Sequence, residues 1–471
     1  MVFSSTVFIF IFLPFVILGN YLLKKNFRNL FLLFSSLFFY AWGEQYLVLL
    51  MISSICVNYL LGILIYKSVE KDQNTTSLLM LSLGVVINLS VLIYFKYSDF
   101  ILDNLKDLNI DLGWNVKEIA LPIGVSFFTF QNISYLIDVY RKEVKAQENL
   151  IHLGLYISLF PQLIAGPIVR YIDIQKEIIQ RKIPKELFKE GVRRFIRGLG
   201  KKVIIANTVA LLGDKIFMIS PNDISTPMAW LGIICYSLQI YFDFSGYSDM
   251  AIGLGKMLGF NFKENFNYPY IAKSIQDFWR RWHISLSTWF RDYLYIPLGG
   301  NRKGLFRTYL NLIIVFFITG LWHGASWNFV IWGLFHGFFL LLERSIQINL
   351  PKKLNFLRHI YLLFVVLIGW VFFRIEDITQ AFSFLRKMFS FTGGVDYSPL
   401  MYLDTYSIIT IAIGFLFSTP IRKLISSRFN SIFKLEFFNT LIRDTLYLIF
   451  FIFTIMELAQ STYNPFIYFR F

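Results

Sequence analysis

Five histidines are the residues best suited to proton chemistry in this chain: His152, His283, His323, His336 and His359. A free imidazole titrates near ~6.5, so its neutral form accepts a proton at cytoplasmic pH. His323 lies in the run Thr319-Gly320-Leu321-Trp322-His323-Gly324-Ala325-Ser326-Trp327. The flanking glycines permit close backbone approach, and the tryptophans supply walls. An imidazole held this way, away from bulk water, is a candidate general base. The competing reading for a histidine in an apolar segment is a neutral ring hydrogen-bonded to a neighbouring helix.

His283 is the second candidate. On one continuous helix Trp279, Trp282, His283, Leu286 and Phe290 would share a face, with Arg280, Ser287 and Arg291 on a neighbouring polar face. That pattern fits a reactive histidine and a snorkelling amphipathic helix equally well. His336 reads as packing, while His152 and His359 lie at segment ends and read as interfacial.

Other chemistries find little support. There is no Walker A loop and no GxSxG elbow, and Gly253-Leu254-Gly255 lacks the third glycine of a dinucleotide site. Asp243, Asp249 and Asp277 form no metal array and are expected to orient nearby arginines or hydroxyls. Cys56 and Cys235 both sit in apolar runs, so neither a disulfide framework nor a metal site is expected.

The elements that must carry these residues are membrane helices. Of 471 residues, 56% are hydrophobic and only 16% are charged, against roughly 25% charged in a soluble domain. Many apolar runs approach the ~20 residues needed to cross hydrocarbon. The expectation is an all-α, polytopic membrane protein with about ten to twelve membrane segments, forming a single domain over residues 1–471. The net charge of +15 does not argue for nucleic acid. Lys and Arg cluster between apolar runs, as cytoplasmic loops require, most densely from Arg181 to Lys202, beside anionic lipid headgroups. The run from Val7 to Leu23, followed by Lys24, Lys25 and Arg28, reads as a retained first helix. Two stretches look re-entrant or interfacial. One is Phe160 to Pro167, interrupted by prolines. The other is Ile275 to Pro297, too polar to cross lipid alone. Residues 390–400 look the most loop-like.

At these residues the sequence resembles a known family. The run Tyr241-Phe242-Asp243-Phe244-Ser245-Gly246-Tyr247-Ser248-Asp249-Met250 is followed by Asp277-Phe278-Trp279-Arg280-Arg281-Trp282-His283. Next come Arg291-Asp292-Tyr293-Leu294-Tyr295-Ile296-Pro297-Leu298-Gly299-Gly300 and the box Leu321-Trp322-His323-Gly324. Together they resemble the membrane-bound O-acyltransferase (MBOAT) family, in its bacterial alginate O-acetylation branch. The stretch from Leu121 to Gln131, the Phe160 to Pro167 segment and the terminal Phe466 to Phe471 extend the likeness over most of the chain.

The resemblance implies helices around a central tunnel in the bacterial inner membrane. It places the family's invariant histidine at His323 and its second active-site histidine at His283. It also implies a cytoplasmic acyl donor, acetyl-CoA, with no resident cofactor. The acceptor would be a polysaccharide on the outer side, served by a separate SGNH-type transferase. On that reading His323 is the base, while His283 positions the acceptor or donates to the oxyanion. Trp282, Trp322 and Trp327 wall the tunnel, and with Arg280 and Arg281 they are the candidate substrate-binding residues. Peptidoglycan O-acetylation, D-alanyl transfer to teichoic acid, lipid acylation and non-catalytic carrier transport stay open as alternatives.

Overall fold

The computed structural model describes residues 1–110, 120–221, 223–346, 351, 354–391, 397–421, 436–460 and 463–467. Every regular element among them is helical, as the composition requires. Four stretches are long and apolar enough to cross a bilayer by length and composition: Lys25–Glu70, Asn74–Asp107, Gly304–His323 and Asn355–Arg374. Phe8–Leu22 and Thr405–Phe417 are shorter apolar helices. Large side chains such as Leu79, Val86, Leu22 and Leu448 are exposed, which suits hydrocarbon as solvent.

The chain divides into two compact units, Met1–Phe195 with Met250–Lys263, and Ile196–Asp249 with Glu264–Phe471. The first contains α1 (Leu13–Leu22), α2 (Lys25–Glu44), α3 (Val48–Glu70), α4 (Asn74–Asp107), α5 (Val125–Tyr140), α6 (Leu150–Ser158), α7 (Phe160–Leu163), α8 (Tyr171–Ile179) and most of α9 (Lys185–Gly200). Polar side chains join α3, α4 and α5 where water is absent. Asn58 and Asn88 exchange amide hydrogen bonds of 3.2 and 2.8 Å, and Asn132 donates to Asn88 at 3.2 Å. Such interhelical bonds hold membrane helices together when hydrophobic burial cannot.

Within this unit the Phe160 to Pro167 segment is irregular, as its prolines require. It consists of the single turn of α7 followed by non-helical backbone, and all eight residues are buried. The Phe160 ring meets Phe12 edge-on at 5.3 Å and Phe39 at 5.5 Å. Irregular backbone is tolerated at such depth only inside protein, and these aromatic rings provide that cover.

The second unit holds α10 (Asn207–Phe217), most of α11 (Thr226–Leu258), α12 (Ile275–Trp279), α13 (Ile284–Phe290), α14 (Gly304–His323), α15 (Trp327–Ser345), α16 (Asn355–Arg374), α17 (Ile378–Phe389), α18 (Pro399–Tyr402), α19 (Thr405–Phe417) and α20 (Glu436–Gln460). The single helix expected through Ile275 to Pro297 is not formed. It breaks between α12 and α13, where His283 adopts φ 44 and ψ 55, and a π-turn at Arg291–Tyr295 follows. A left-handed residue cannot continue an α-helix, so the shared helical face predicted for Trp279, His283 and Phe290 does not exist. Residues 392–396 of the expected loop and 468–471 of the terminal motif lie outside the described residues.

One charged pair is deeply buried in this unit. Lys202 and Asp243 lie 2.7 Å apart, with side chains only 4% and 2% exposed. The end of the chain completes their coordination. Asp243 accepts the Ile467 N–H at 2.9 Å, and Lys202 donates to the Pro465 carbonyl. The Phe466 ring lies under Lys202 and stacks on Tyr247 at 4.7 Å. Asp243 thus holds a lysine, Asp249 pairs with Lys201 at 2.8 Å, and Asp277 orients Arg281 as expected. Removing one partner of a buried pair leaves an uncompensated charge, typically costing about 3–5 kcal/mol. Asp243→Asn is expected to lower the melting temperature in detergent far more than Asp292→Asn, whose carboxylate pairs with a largely exposed Arg291. Equal melting of the two variants, measured by tryptophan fluorescence, would contradict this account.

Candidate active site

Close contact between α14 and α15 places His323. A Cβ on Gly320 would lie 2.3 Å from the Phe329 carbonyl oxygen, and one on Gly333 would lie 2.3 Å from that of Phe316. Only glycine permits this approach. His323 is the last residue of α14, and Gly324 after it is extended. The imidazole is 2% exposed. Its ring centroid lies 5.0 Å from Trp322, 4.9 Å from Trp332 and 5.2 Å from Phe373, so aromatic faces close the site against bulk water.

The α12–α13 break sets His283 near Trp322, the neighbour of His323. Its entry is prepared by α15, whose Glu343 accepts the Ile275 and Gln276 N–H groups at 2.7 and 3.3 Å. A carboxylate there satisfies the first donors of α12 and its positive helix end. Ser274 caps the same turn through the Asp277 N–H at 3.0 Å. His359 contributes from α16, its Nδ1 donating to the Ala272 carbonyl at 3.0 Å. Beyond the break, the fully buried His283 ring lies 4.7 Å from Phe244 and 6.1 Å from Trp322. Trp322 thus touches both histidines and joins them.

Asn265 determines the proton position on His283. Its Oδ1 accepts the Ser285 N–H at 3.2 Å and the Ser285 hydroxyl at 2.9 Å, while its Nδ2 donates to Ser248 Oγ at 3.1 Å. That pattern identifies the oxygen as the acceptor facing His283 Nδ1 at 3.2 Å. Nδ1 therefore carries the hydrogen, and in the neutral ring Nε2 is the basic nitrogen. Sequence reasoning missed Asn265, since an asparagine in a loop 18 positions away carries no periodic signal. It also missed Trp332 and Phe373, which only the packing of α15 and α16 brings to His323.

The remaining expected residues divide clearly. Trp282 is buried against Trp370 at 5.0 Å and Phe266 at 5.1 Å. Trp327 is 52% exposed at the start of α15. Arg280 is exposed. Arg281 is engaged by Asp277 at 2.9 Å and donates to the Asn267 carbonyl at 3.2 Å. His336 is fully buried with ring contacts of 5.2 Å to both Trp279 and Trp332. Among the described residues there is no cluster of three or more His, Cys, Asp or Glu side chains that could hold a metal.

Residues 36–383 match the model of the MBOAT, membrane-bound O-acyltransferase family. The chain belongs to this family. It is therefore an O-acyltransferase and a multi-pass membrane protein. It is 48% identical over 395 residues to the "Probable alginate O-acetylase AlgI" of Azotobacter vinelandii, covering 83% of this chain and 78% of that one. The Pseudomonas putida protein of the same name is 41% identical over 492 residues, covering all of both chains. The peptidoglycan O-acetyltransferase of Helicobacter pylori is 38% identical over 431 residues, covering 83% of this chain and 80% of that one.

Two outcomes test how this MBOAT site is built. Gly333→Ala is expected to force α15 off α14, costing about 1–3 kcal/mol as overpacking does and lowering acyl transfer by moving His323. Asn265→Ala removes the acceptor that fixes the His283 tautomer, so turnover should fall at least tenfold, and the melting temperature should fall as well because buried His283 and Ser285 lose their partner. Wild-type turnover of Asn265→Ala would remove Asn265 from the site.

Proposed function

We propose that this acyltransferase moves an acetyl group from a cytoplasmic thioester, acetyl-CoA, to a hydroxyl of an exported polysaccharide. The observation that supports it most is the pairing of two buried histidines, His283 and His323, across Trp322. The names of the alginate and peptidoglycan relatives suggest the acetyl group and the polysaccharide acceptor.

The acceptor hydroxyl oxygen attacks the thioester carbonyl carbon. His323 takes the hydroxyl proton, the tetrahedral adduct collapses, the C–S bond breaks, and the proton passes to the departing thiolate. His283, with Nε2 as its basic nitrogen, suits an acceptor-positioning role, receiving a hydrogen bond from the hydroxyl. It suits an oxyanion donor less, because Nε2 carries no hydrogen in the neutral tautomer. Trp322 and Trp332 exclude water, which otherwise competes as nucleophile. Of the two arginines Arg280 is available for the donor's phosphates, since Arg281 is committed to Asp277. Trp327 marks the outer mouth, where an SGNH-type partner would receive or hand on the acyl group.

General base catalysis typically contributes ~10²–10⁴-fold. His323→Ala is expected to lose at least a hundredfold in acetyl transfer while the protein still folds and inserts, its melting lowered only by the cavity left among the rings. Undiminished O-acetylation in a strain carrying only that variant would refute the assignment. Peptidoglycan is the second reading, favoured by the Helicobacter relative, and a comparison of purified acceptors separates the two.

A further inference from the structure

Attack on a thioester carbonyl turns its oxygen into an oxyanion, and in a site closed to water that charge needs a hydrogen-bond donor. Neither histidine supplies one. In the tautomer that Asn265 sets, His283 carries no hydrogen on Nε2. His323, acting as the base, meets the acceptor through a lone pair. The donor must therefore come from another group beside His323.

Trp332 has a donor to spare. Its indole is 1% exposed, and its ring centroid lies 4.9 Å from that of His323 with the two planes at 86°. The Nε1 hydrogen is buried and has no acceptor among the described residues. His336 packs on the same indole at 5.2 Å, yet neither of its nitrogens takes that hydrogen. The other rings on Trp332 belong to Trp279, Trp370 and Phe373. Their side chains hold no lone-pair acceptor, and an aromatic face is a weak one. A buried donor left unpaired bears its full desolvation cost. Native interiors keep few such groups, and a catalytic role is one reason to keep one.

The indole is held in place before any substrate arrives. Gly333, the next residue, meets the Phe316 carbonyl so closely that a Cβ would lie 2.3 Å from its oxygen, which fixes the height of α15 on α14. From α16 the Trp370 ring stacks on Trp332 at 6.2 Å and 18°. A donor fixed in this way needs no reorganisation when charge develops. Its reach is also right. The acceptor oxygen sits ~2.6–3.2 Å from the base nitrogen. The carbonyl oxygen lies beyond the new bond, so the oxyanion forms within about 5 Å of the imidazole. The Trp332 ring borders that volume.

We propose that the indole N–H of Trp332 is the oxyanion donor of the acyl transfer. The proposal rests on the acetyl-transfer reading of His323 and adds a catalytic residue to it. The acceptor oxygen bonds to the carbonyl carbon and gives its proton to His323, while the carbonyl π pair moves onto oxygen, where the indole hydrogen meets it. The pair then returns to re-form C=O, the C–S bond breaks, and the thiolate takes the proton from His323. Trp332 keeps its own proton throughout.

The test exchanges the indole N–H for sulfur. Benzothienylalanine replaces Trp332 in the full-length protein in nanodiscs, with labelled acetyl-CoA as donor and a mannuronate oligomer or a peptidoglycan fragment as acceptor. The ring keeps its shape and loses only its hydrogen-bond donor. The kcat is expected to fall about a hundredfold, as for loss of one oxyanion donor, with the KM for acetyl-CoA within twofold. Melting should hold or rise, because an unpaired buried donor has gone. Trp332→Phe should lose as much kcat but melt lower, from the cavity it leaves. The same sulfur exchange at Trp279 is the control. Its Nε1 also lacks an acceptor among the described residues, but its ring meets Phe316, Trp332 and His336, so kcat should change less than twofold. Wild-type kcat after the exchange at Trp332, an equal loss at Trp279, or a loss at Trp322 in its place would overturn the proposal. Undiminished transfer by His323→Ala, or no acetyl transfer by the wild type, would instead refute the acetyl-transfer reading on which it stands.

Discussion

Helices α14 and α15 approach to carbonyl contact because Gly320 and Gly333 present no side chain where they cross. In hydrocarbon there is no hydrophobic gain from pairing two apolar helices, so close van der Waals packing must supply the association. The consequences reach every part of the site. The crossing fixes the C-terminal end of α14, where His323 sits, and sets Trp332 against that imidazole. It also fixes α15, whose Glu343 anchors α12 and thereby the break that projects His283. A methyl group at the crossing would therefore act on both histidines, though it touches neither.

The second constraint is the cost of buried polar groups. His283, Asn265, Asp243 and Lys202 are nearly or fully excluded from solvent, and each unsatisfied group of that kind costs about 1–3 kcal/mol or more. The structure meets this with local networks. Asn265 takes up His283 and Ser285, and the backbone at Pro465 and Ile467 takes up the Lys202–Asp243 pair. Residues distant in sequence thus become necessary to the interior, because water is not available to replace them.

These two constraints explain what the sequence reveals. The all-α membrane architecture is legible because apolar length and basic flanks are local properties. The His323 box is legible because glycine and tryptophan beside a histidine already describe a packed, dry crossing. The irregular Phe160 to Pro167 segment is legible from its prolines. For His283 the helical periodicity read from the sequence fails: it is interrupted by the residue's own positive φ, and the ring reaches Trp322 because the helix is broken. Asn265, Trp332 and Phe373 were invisible, since their role depends on which helices touch. Arg281 looked equivalent to Arg280 in sequence, and only the ion pair with Asp277 separates them.

The tautomer of His283 bears on the direction of the proposed proton transfer. An isolated ion is strongly disfavoured in an aromatic surrounding. With Nδ1 committed to Asn265, His283 can meet a hydroxyl only through a lone pair, and in the proposed reaction it would hold the acceptor without protonating the thioester. The proton of the proposed reaction then passes from hydroxyl to His323 and on to the leaving thiolate. Charge separation is confined to the lifetime of the tetrahedral adduct, and no ion has to leave the aromatic walls. An oxyanion donor at His283 would require either the other tautomer, which Asn265 opposes, or a buried imidazolium, which the surrounding Phe244 and Trp322 rings are too apolar to solvate as water would. The division of roles in the proposed reaction would therefore follow from one amide oxygen set opposite one ring nitrogen.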